Sequence, residues 1–360
     1  MNLHIVPDNT FINKFYDNLN ELGLLGVNKI VVRSNDSKLK SIRHNLPFAP
    51  LYSTRFASLV GNTELYEKVF IHYFTPLMYR WVARHKFREL NWMIWGGDLY
   101  NLPSLDHICY EPLTFQQFVK KDRSIKTLLY RLKVLVTNSP FKHKAYSKVN
   151  NILTWMSSEY QFAVEHLLVH ATQKFFFYEN QLPYEKLNLM VAPVNRNGRP
   201  VLIIGNSGSP ENNHLDIVRF LDENRVNADL LIPVSYGDAG YIMFLKKKLT
   251  YGYGKIEFID RYMPFEEYLN FLGQADALVM NTIRPQGYGN ILMMMYIGKP
   301  VFFNEKNISL PDLGKAGLQW FPVESLRSYS KEKFMASNKE AVTNLLSHER
   351  LLKEYQLLFN

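Results

Sequence analysis

One segment near residue 290 constrains the fold more than any other part of the chain. An apolar run at residues 277–281 is followed by a glycine-rich turn, IRPQGYGN, at residues 283–290. A second apolar run at 291–297 has the composition of a buried helix, and a Gly-Lys-Pro break separates it from a strand-like run at 301–303. Strand, glycine turn, helix and parallel strand form the unit of a doubly wound α/β sheet, so the segment predicts that fold class.

Short apolar runs alternate with helix-like stretches in both halves of the chain. Strands that alternate with helices pair in parallel, so each half predicts one Rossmann-like, doubly wound domain. The strands predicted in the first half are residues 3–6, 29–32, 69–72, 92–95, 134–137 and 175–178. Those predicted in the second half are residues 201–205, 230–234, 256–259, 277–281 and 301–303.

The length of 360 residues favours two domains over one core. Pro, Gly and Asn residues at 189–200 are typical of a linker. We predict an N-terminal domain at 1–190 and a C-terminal domain at 191–340. A helix at 341–360 is expected to pack back toward the first domain. Two such domains are expected to face a central cleft, where ligands bind at the carboxyl ends of strands.

The positive charge of the chain is concentrated in its first half. Residues 1–190 carry 23 Lys and Arg against 15 Asp and Glu, whereas residues 191–360 carry 19 against 18. A basic half favours an anionic partner such as membrane lipid, polyphosphate or nucleic acid, and an ordinary solvated surface is the alternative. The single cysteine excludes a disulfide framework. The N-terminus lacks the pattern of a signal peptide, so we expect a cytoplasmic protein.

Two polar loops follow predicted strands of the second half, at residues 205–213 and 283–290. Such loops present N–H groups to phosphate, and the following helix adds the positive end of its dipole. Plain turns with Asn or Ser as helix caps are the alternative. Tyr236, Tyr262 or Met263 is placed to pack on a nucleobase. The residues expected to bind a nucleotide-diphosphate donor are Asn206, Ser207, Tyr236, Gly237, Met263, Asn281, Arg284, Gln286, Gly287, Gly289 and Asn290.

Two residues at strand ends of the first half are candidate catalytic bases. Asp98 follows two glycines after the run at 92–95, and His72 ends the run at 69–72. At the edge of a cleft, either side chain is placed to accept a proton from a sugar hydroxyl. A structural role is the alternative for each. Asp98 is the first choice and His72 the reserve.

Residues 75–88 combine an apolar stripe with four basic side chains. A helix of this kind can lie on an anionic membrane surface, and a core helix with a solvated basic face is the alternative. The stripe consists of Leu77, Met78, Trp81 and Val82, and the charges are Arg80, Arg84, Lys86 and Arg88.

Several motifs of other site chemistries are missing from the chain. There is no Asp-X-Asp pair, so we do not expect a metal-chelating sugar-transferase site. Neither a G-x-x-x-x-G-K-[ST] loop nor a G-x-S-x-G turn occurs. We therefore expect no metal and no other cofactor.

The order of these motifs resembles the bacterial TDP-N-acetylfucosamine:lipid II N-acetylfucosaminyltransferases, glycosyltransferase family 56. The matching segments are residues 94–100, 205–208, 233–237, 265–269, 286–289 and 298–300. The resemblance implies a GT-B fold and a metal-independent hexosyltransferase with a TDP-sugar donor, such as TDP-N-acetylfucosamine, bound in the second domain. It implies a polyprenyl-diphosphate-linked saccharide as acceptor, in surface polysaccharide synthesis such as that of enterobacterial common antigen. It also implies a peripheral location at the cytoplasmic face of the inner membrane, and no nucleic acid as partner.

The chain departs from one pattern of the wider GT-B group. Many retaining enzymes of that fold carry an acid just before the Gly-aromatic-Gly turn and another eight residues later, where this chain has Gln286 and Met294. That departure disfavours the retaining group but leaves the stereochemistry open. Two other functions remain as alternatives. One is a sugar-nucleotide epimerase of the same fold, and the other is a nucleic-acid-binding protein that uses the basic half but has no recognisable binding module.

Overall fold

The chain divides into two compact units. The computed structural model describes residues 1–102, 105–121, 129, 132, 134–167, 169–178, 182–188, 198–330, 333–334 and 336–360, so most of the expected linker lies outside the described residues. Unit 1 comprises Met1–Leu105, Ser124–Asn180 and Leu346–Asn360, and unit 2 comprises Asp106–Arg123 and Gln181–Leu345. Asp106–Arg123, which the expected bounds place in the first domain, belong to unit 2. The C-terminal segment from Leu346, which is expected to pack toward the first domain, belongs to unit 1.

Unit 1 is built on a sheet of seven parallel strands. They are β1 (Asn2–Pro7), β2 (Asn28–Arg33), β3 (Phe48–Ala49), β4 (Val69–His72), β5 (Leu90–Met93), β6 (Asn151–Leu153) and β7 (Thr172–Lys174). Their order across the sheet is β3-β2-β1-β4-β5-β6-β7. The α-helices described in this unit are Phe11–Glu21, Thr54–Val60, Tyr79–Arg84, Gly97–Tyr100, Lys142–Tyr146, Ser157–Leu167 and His348–Phe359.

Unit 2 is built on a sheet of six parallel strands. They are β8 (Val201–Ile204), β9 (Asp229–Pro233), β10 (Ile256–Ile259), β11 (Ala277–Met280), β12 (Val301–Phe303) and β13 (Phe321–Pro322). Their order is β10-β9-β8-β11-β12-β13, so the predicted α/β class with parallel sheets is confirmed. The α-helices described in this unit are Pro112–Gln117, Tyr184–Asn188, His214–Glu223, Ala239–Lys248, Phe265–Gln274, Tyr288–Tyr296, Leu310–Lys315 and Lys339–Leu345.

Two of the predicted strands are wrong. Residues 134–137 are helical, although their β-branched composition is typical of a strand. Val134 is buried, whereas Leu135 and Val136 are 63% and 71% exposed, so the run has one buried side, as an amphipathic helix does. Residues 175–178 lie beyond β7 and are not a strand. Strands β3, β6, β7 and β13 are not among the predicted ones, because each has only two or three residues and gives a weak periodic pattern.

The apolar stripe at residues 75–88 belongs to the core of unit 1. The segment forms a 3-10 helix, Pro76–Met78, followed by the helix Tyr79–Arg84. Met78, Trp81 and Val82 are buried, so they cannot enter a lipid bilayer. The expectation that this stripe forms a membrane-facing surface is therefore wrong, because packing against the protein interior has already removed it from solvent.

The helix His348–Phe359 completes the core of unit 1. Its buried residues Leu351, Tyr355 and Phe359 pack in one apolar cluster with residues of β1, β2 and β4. The carbonyl oxygen of Phe359 accepts hydrogen bonds from Nδ2 of Asn2 at 3.0 Å and Nδ2 of Asn28 at 2.8 Å. The last turn of the chain is thus held by both apolar burial and buried polar contacts.

Candidate functional site

The polar loops after β8, β9 and β11 meet at the carboxyl edge of the unit 2 sheet. The N–H of Gly208 donates to the carbonyl oxygen of Tyr236 at 2.8 Å, which joins the first two loops. A Cβ on Gly287 would lie only 3.0 Å from the Cβ of Asn206, so the third loop packs directly on the first. The carboxyl edge of a parallel sheet is where ligands bind in doubly wound folds. The two loops that the sequence indicated therefore lie together.

Asn206 connects the three loops. Its backbone N–H donates to Oδ1 of Asn212 at 3.1 Å, and its Nδ2 donates to the hydroxyl of Tyr236 at 3.1 Å. The preceding residue, Gly205, has a φ of 71°, and a Cβ there would lie 2.6 Å from Oδ1 of Asn212. Glycine is therefore required for the turn that presents Asn206.

Three buried polar atoms of the expected donor-binding residues have no hydrogen-bond partner in the described part of the chain. They are Oδ1 of Asn206, Nε of Arg284 and Nε2 of Gln286. Arg284 also lies 3.5 Å from the carboxylate of Glu211, and both side chains are largely buried. An unsatisfied buried polar atom costs about 1–3 kcal/mol, and in native proteins it often marks a site filled by a ligand or ion.

The helix Tyr288–Tyr296 begins at this loop. Its N-cap is Gly287, with a φ of 70°, and Gly289 and Asn290 lie in its first turn. The side chain of Asn290 is within hydrogen-bonding reach of the Tyr268 hydroxyl. The free N–H groups and positive dipole end of the helix therefore face the same loop as the unpaired atoms, an arrangement that favours an anion.

An aromatic cavity of about 250 Å³ lies beside Tyr236. Tyr236 and Tyr262 are 60% and 84% exposed, so their rings are available to a ligand. Flat, largely apolar walls with one polarisable methionine suit the face of a heterocyclic base. The sequence pattern identified Met263 but not Phe265 and Tyr268. These two residues lie three positions apart on the helix Phe265–Gln274, a spacing that places them on one face and could have identified them. The lining includes Tyr236, Tyr262, Met263, Phe265, Tyr268 and Phe271.

Three of the expected donor-binding residues support the loops from beneath. The buried hydroxyl of Ser207 accepts from Nδ2 of Asn212 at 3.2 Å. Buried Asn281 accepts from Asn304 at 2.9 Å and donates to the Asn213 carbonyl at 3.3 Å. A Cβ on Gly237 would lie 2.4 Å from the carbonyl carbon of Gly208, so only glycine fits there. Direct donor contact by Ser207, Asn281 and Gly237 stays a prediction.

The structure buries both predicted catalytic bases in unit 1. Asp98 has no exposed surface, and its carboxylate accepts from the N–H of Phe74 at 2.8 Å, the indole of Trp92 at 2.6 Å and the N–H of Trp95 at 3.0 Å. Burial raises the pKa of Asp98, while these donors oppose the rise. The expectation that Asp98 lies at an open edge is corrected, because all its hydrogen bonds are made within the protein. Its role as a base stays a prediction.

His72 is also buried. Its Nε2 lies 3.1 Å from Nδ1 of His4, and its Nδ1 contacts the hydroxyl of Tyr178. Burial lowers the pKa of His72 well below its usual value, and the neighbouring His4 and Arg33 lower it further. A neutral, enclosed imidazole suits a core position better than contact with an acceptor sugar.

Asp98 also holds a strained turn after β4. Tyr73 has a φ of 63°, which is unfavourable for a residue with a side chain. The backbone N–H of the next residue, Phe74, donates to the carboxylate of Asp98. The carbonyl oxygen of Tyr73 accepts from Nη2 of Arg33 at 2.7 Å. The carboxylate of Asp98 and the guanidinium of Arg33 therefore both hold this turn, which gives Asp98 a structural role beside its predicted role as a base.

The ranges that the structure describes contain neither a metal-binding cluster nor a membrane-spanning helix. Within those ranges, no group of three or more His, Cys, Asp and Glu side chains is arranged to hold a metal ion. No helix in the same ranges combines the length and apolar character needed to cross a bilayer.

Solved structures with the same architecture are glycosyltransferases. A sucrose-phosphate synthase from Thermosynechococcus elongatus is 13% identical, with a TM-score of 0.56, over 100% of this chain and 98% of the other. A glycosyltransferase from Rickettsia africae is 13% identical, with a TM-score of 0.53, over 99% and 97%. A UDP-forming trehalose-phosphate synthase from Burkholderia xenovorans is 7% identical, with a TM-score of 0.57, over 99% and 97%. The expected GT-B fold is confirmed by this near-complete coverage.

The sequence itself matches one family of sugar-transferring enzymes. The profile described as 4-alpha-L-fucosyltransferase, glycosyl transferase group 56, matches residues 130–342, which is more than half of the chain. That range includes all three loops of the unit 2 site. The expected enzyme class, a glycosyltransferase, is confirmed. The chain therefore belongs to the 4-alpha-L-fucosyltransferase family, glycosyl transferase group 56.

Proposed function

We propose that the protein transfers a deoxy or acetamido sugar, such as N-acetylfucosamine, from a TDP-linked donor to a polyprenyl-diphosphate-linked saccharide. One observation carries the donor half of this proposal. Buried polar atoms of Asn206, Arg284 and Gln286 lack partners in the described part of the chain, beside a helix N-terminus and an aromatic cavity. Membership of the fucosyltransferase family supports the sugar class.

The donor would bind along the carboxyl edge of the unit 2 sheet. The base would occupy the cavity beside Tyr236 and Met263. The diphosphate would contact the N-terminus of the helix Tyr288–Tyr296 and the guanidinium of Arg284, which now lies near Glu211. Gln286 and Asn206 would supply a donor and an acceptor to the phosphate or the sugar.

The reaction needs stabilisation of a leaving diphosphate. The acceptor hydroxyl oxygen would bond to the anomeric carbon, and its proton would pass to a general base. The bond from that carbon to the diphosphate would break, and its electron pair would leave with the diphosphate. Negative charge then grows on the diphosphate, where Arg284 and the helix N-terminus stabilise it without rearrangement. We propose that Arg284 and the helix N-terminus take the place of a metal ion at the diphosphate, so that turnover persists in excess chelator.

We propose an anionic membrane surface as the partner of unit 1, through a different surface from the stripe at 75–88. Leu129, Leu132, Leu135 and Val136, here named the apolar arc, are 60%, 48%, 63% and 71% exposed. All four are helical, and their spacing places them on one face, with buried Val134 on the other. Residues 124–144 contain five Lys or Arg and no Asp or Glu. An exposed apolar face within a basic segment suits a peripheral contact with anionic lipid.

Titration calorimetry with TDP, UDP and GDP tests the donor site. Arg284→Ala should weaken TDP binding about tenfold or more, since a charge-assisted contact contributes roughly 1.5–3 kcal/mol. Tyr236→Ala should also weaken it, because the variant removes a cavity wall and the partner of Asn206. Arg219→Ala is the control, because it removes an exposed arginine that pairs with Glu223 on the helix His214–Glu223 and does not line the cavity beside Tyr236.

Two results would overturn the proposal. Equal TDP affinity in Arg284→Ala, Tyr236→Ala and Arg219→Ala would remove these loops from donor binding. Conversion of the TDP-sugar to an isomer without any acceptor would assign the site to an epimerase instead.

A further inference from the structure

A second cavity, of about 590 Å³, lies within unit 1 and contains none of the donor-site residues. It opens at the carboxyl ends of β2 and β3, and its lining includes Arg33, Tyr52, Leu77, Arg80, Thr137 and Asn138. Its size is that of a ligand site, and the carboxyl edge of a parallel sheet is the usual place for one.

Arg33 is held rigidly at this cavity. Its Nη2 donates to the Tyr73 carbonyl at 2.7 Å, and its guanidinium lies 5.8 Å from the centre of the Tyr73 ring. Its Nε is buried and has no partner among the described residues. A fixed arginine with one free donor is prepared to bind an anion, because little side-chain entropy remains to be lost.

The charged side chains that line the cavity are both basic, and the buried carboxylate of Asp98 attracts Arg33 from outside the lining. Arg80 also lines it, and neither Arg33 nor Arg80 has an ion pair with any carboxylate that the structure describes. None of the described lining residues is Asp or Glu. Buried Asn138 contributes an Oδ1 acceptor that lacks a partner in the same ranges. Two unpaired guanidinium groups match a diphosphate, and a free amide oxygen matches a sugar hydroxyl.

We propose that this cavity binds the diphosphate of a lipid-linked acceptor, with Arg33 and Arg80 as its ligands. The inference rests on the proposed function for the choice of a lipid diphosphate. Continuity with the apolar arc supports it, because Thr137 and Asn138 of the cavity directly follow Leu135 and Val136 along the chain. A ligand with a diphosphate in the cavity can therefore have its lipid chain at the surface where the arc meets a bilayer.

Farnesyl diphosphate is a soluble probe of this site. Calorimetry is carried out with saturating TDP present, so that any diphosphate site in unit 2 is already occupied. Farnesyl diphosphate should bind, and Arg80→Gln should weaken it about tenfold or more. Arg84→Gln is the matched control, because Arg84 lies on the same helix but is exposed, contacts Phe141 and does not line the cavity.

Arg33→Gln is a weaker test, because Arg33 also holds the turn at Tyr73, so Arg80→Gln decides the outcome. Equal farnesyl diphosphate affinity in Arg80→Gln and Arg84→Gln would overturn the proposal. Inorganic pyrophosphate binding as tightly as farnesyl diphosphate would assign the cavity to a free diphosphate and also overturn it. If farnesol, which has no diphosphate, binds as tightly as farnesyl diphosphate, Arg33 and Arg80 do not recognise the diphosphate and the proposal is overturned. TDP affinity, measured separately, shows whether the donor site has failed instead.

Discussion

Replacement of Gly287 by alanine tests the close packing between two loops of the donor site. Gly287 has a φ of 70°, a conformation that costs a residue with a side chain about 1–2 kcal/mol. The added methyl group would lie 3.0 Å from Cβ and Cγ of Asn206 and 3.1 Å from Cε of Met280. The Met280 side chain can move, but Asn206 is fixed by hydrogen bonds to Asn212 and Tyr236.

Two effects of Gly287→Ala are therefore expected. The free energy of unfolding should fall by about 1–2 kcal/mol, from the backbone strain. TDP affinity should fall about tenfold, equivalent to about 1.4 kcal/mol, because Asn206 must shift and its free Oδ1 moves with it. Urea unfolding measures the first effect and calorimetry the second.

The variant Gly298→Ala distinguishes the effect of backbone strain from the effect of the contact with Asn206. Gly298 has a φ of 75°, but an added Cβ would have no neighbour closer than 3.9 Å. This variant should therefore lose similar stability and keep its TDP affinity. If Gly287→Ala and Gly298→Ala bind TDP equally well, the packing of Gly287 on Asn206 does not shape the donor site.

Three other predictions concern unit 1. Asp98→Asn should lower the free energy of unfolding, measured with urea, by about 1–3 kcal/mol, because the new amide nitrogen must face a buried N–H donor. A loss of turnover of about 10²-fold or more at unchanged stability would instead support a role of Asp98 as general base. Burial lowers the pKa of His4 to about 3, so below about pH 6.5 the unfolded chain binds a proton that the folded chain does not. The free energy of unfolding should therefore fall as the pH is lowered from 7 to 5, and it should fall less steeply in His4→Gln. Leu135→Glu with Val136→Glu should abolish co-sedimentation with anionic liposomes, whereas Leu65→Glu, at an exposed leucine outside the arc, should not; equal binding by both proteins would contradict the membrane proposal.

The meeting of the loops at the proposed donor site was largely predictable, because each loop is local in sequence. Each loop follows an apolar strand, and parallel strands bring their carboxyl ends to one edge. The pattern thus located Asn206, Tyr236 and Gly287 without any knowledge of contacts. It could not show that Asn281 points into the protein, because that depends on Asn304, 23 residues away. Nor could it show that Ser207 accepts from Asn212, because the conformation of their shared loop decides that contact.

The features of unit 1 were not predictable, because they depend on residues that are distant from one another in sequence. The two glycines before Asp98 suggested an open edge, but three donors from Phe74, Trp92 and Trp95 enclose its carboxylate. The cavity of Arg33 and Arg80 has no sequence motif, because segments separated by tens of residues build it. The run at 134–137 has strand-like composition, and only its pattern of exposure identifies a helix.

The return of the chain to unit 1 at Leu346 has a consequence for synthesis. A ribosome adds about 5–20 residues per second, so the 165 residues between Gln181 and Leu345 take roughly 8–33 s. Throughout that time the N-terminal sheet lacks Leu351, Tyr355 and Phe359, and the apolar surface that these residues cover is open to water. Unit 2, whose last residue is Leu345, can close before unit 1 although it begins later. Nascent chains stalled before Leu346 are therefore expected to be bound by holdase chaperones through the uncovered faces of β1, β2 and β4.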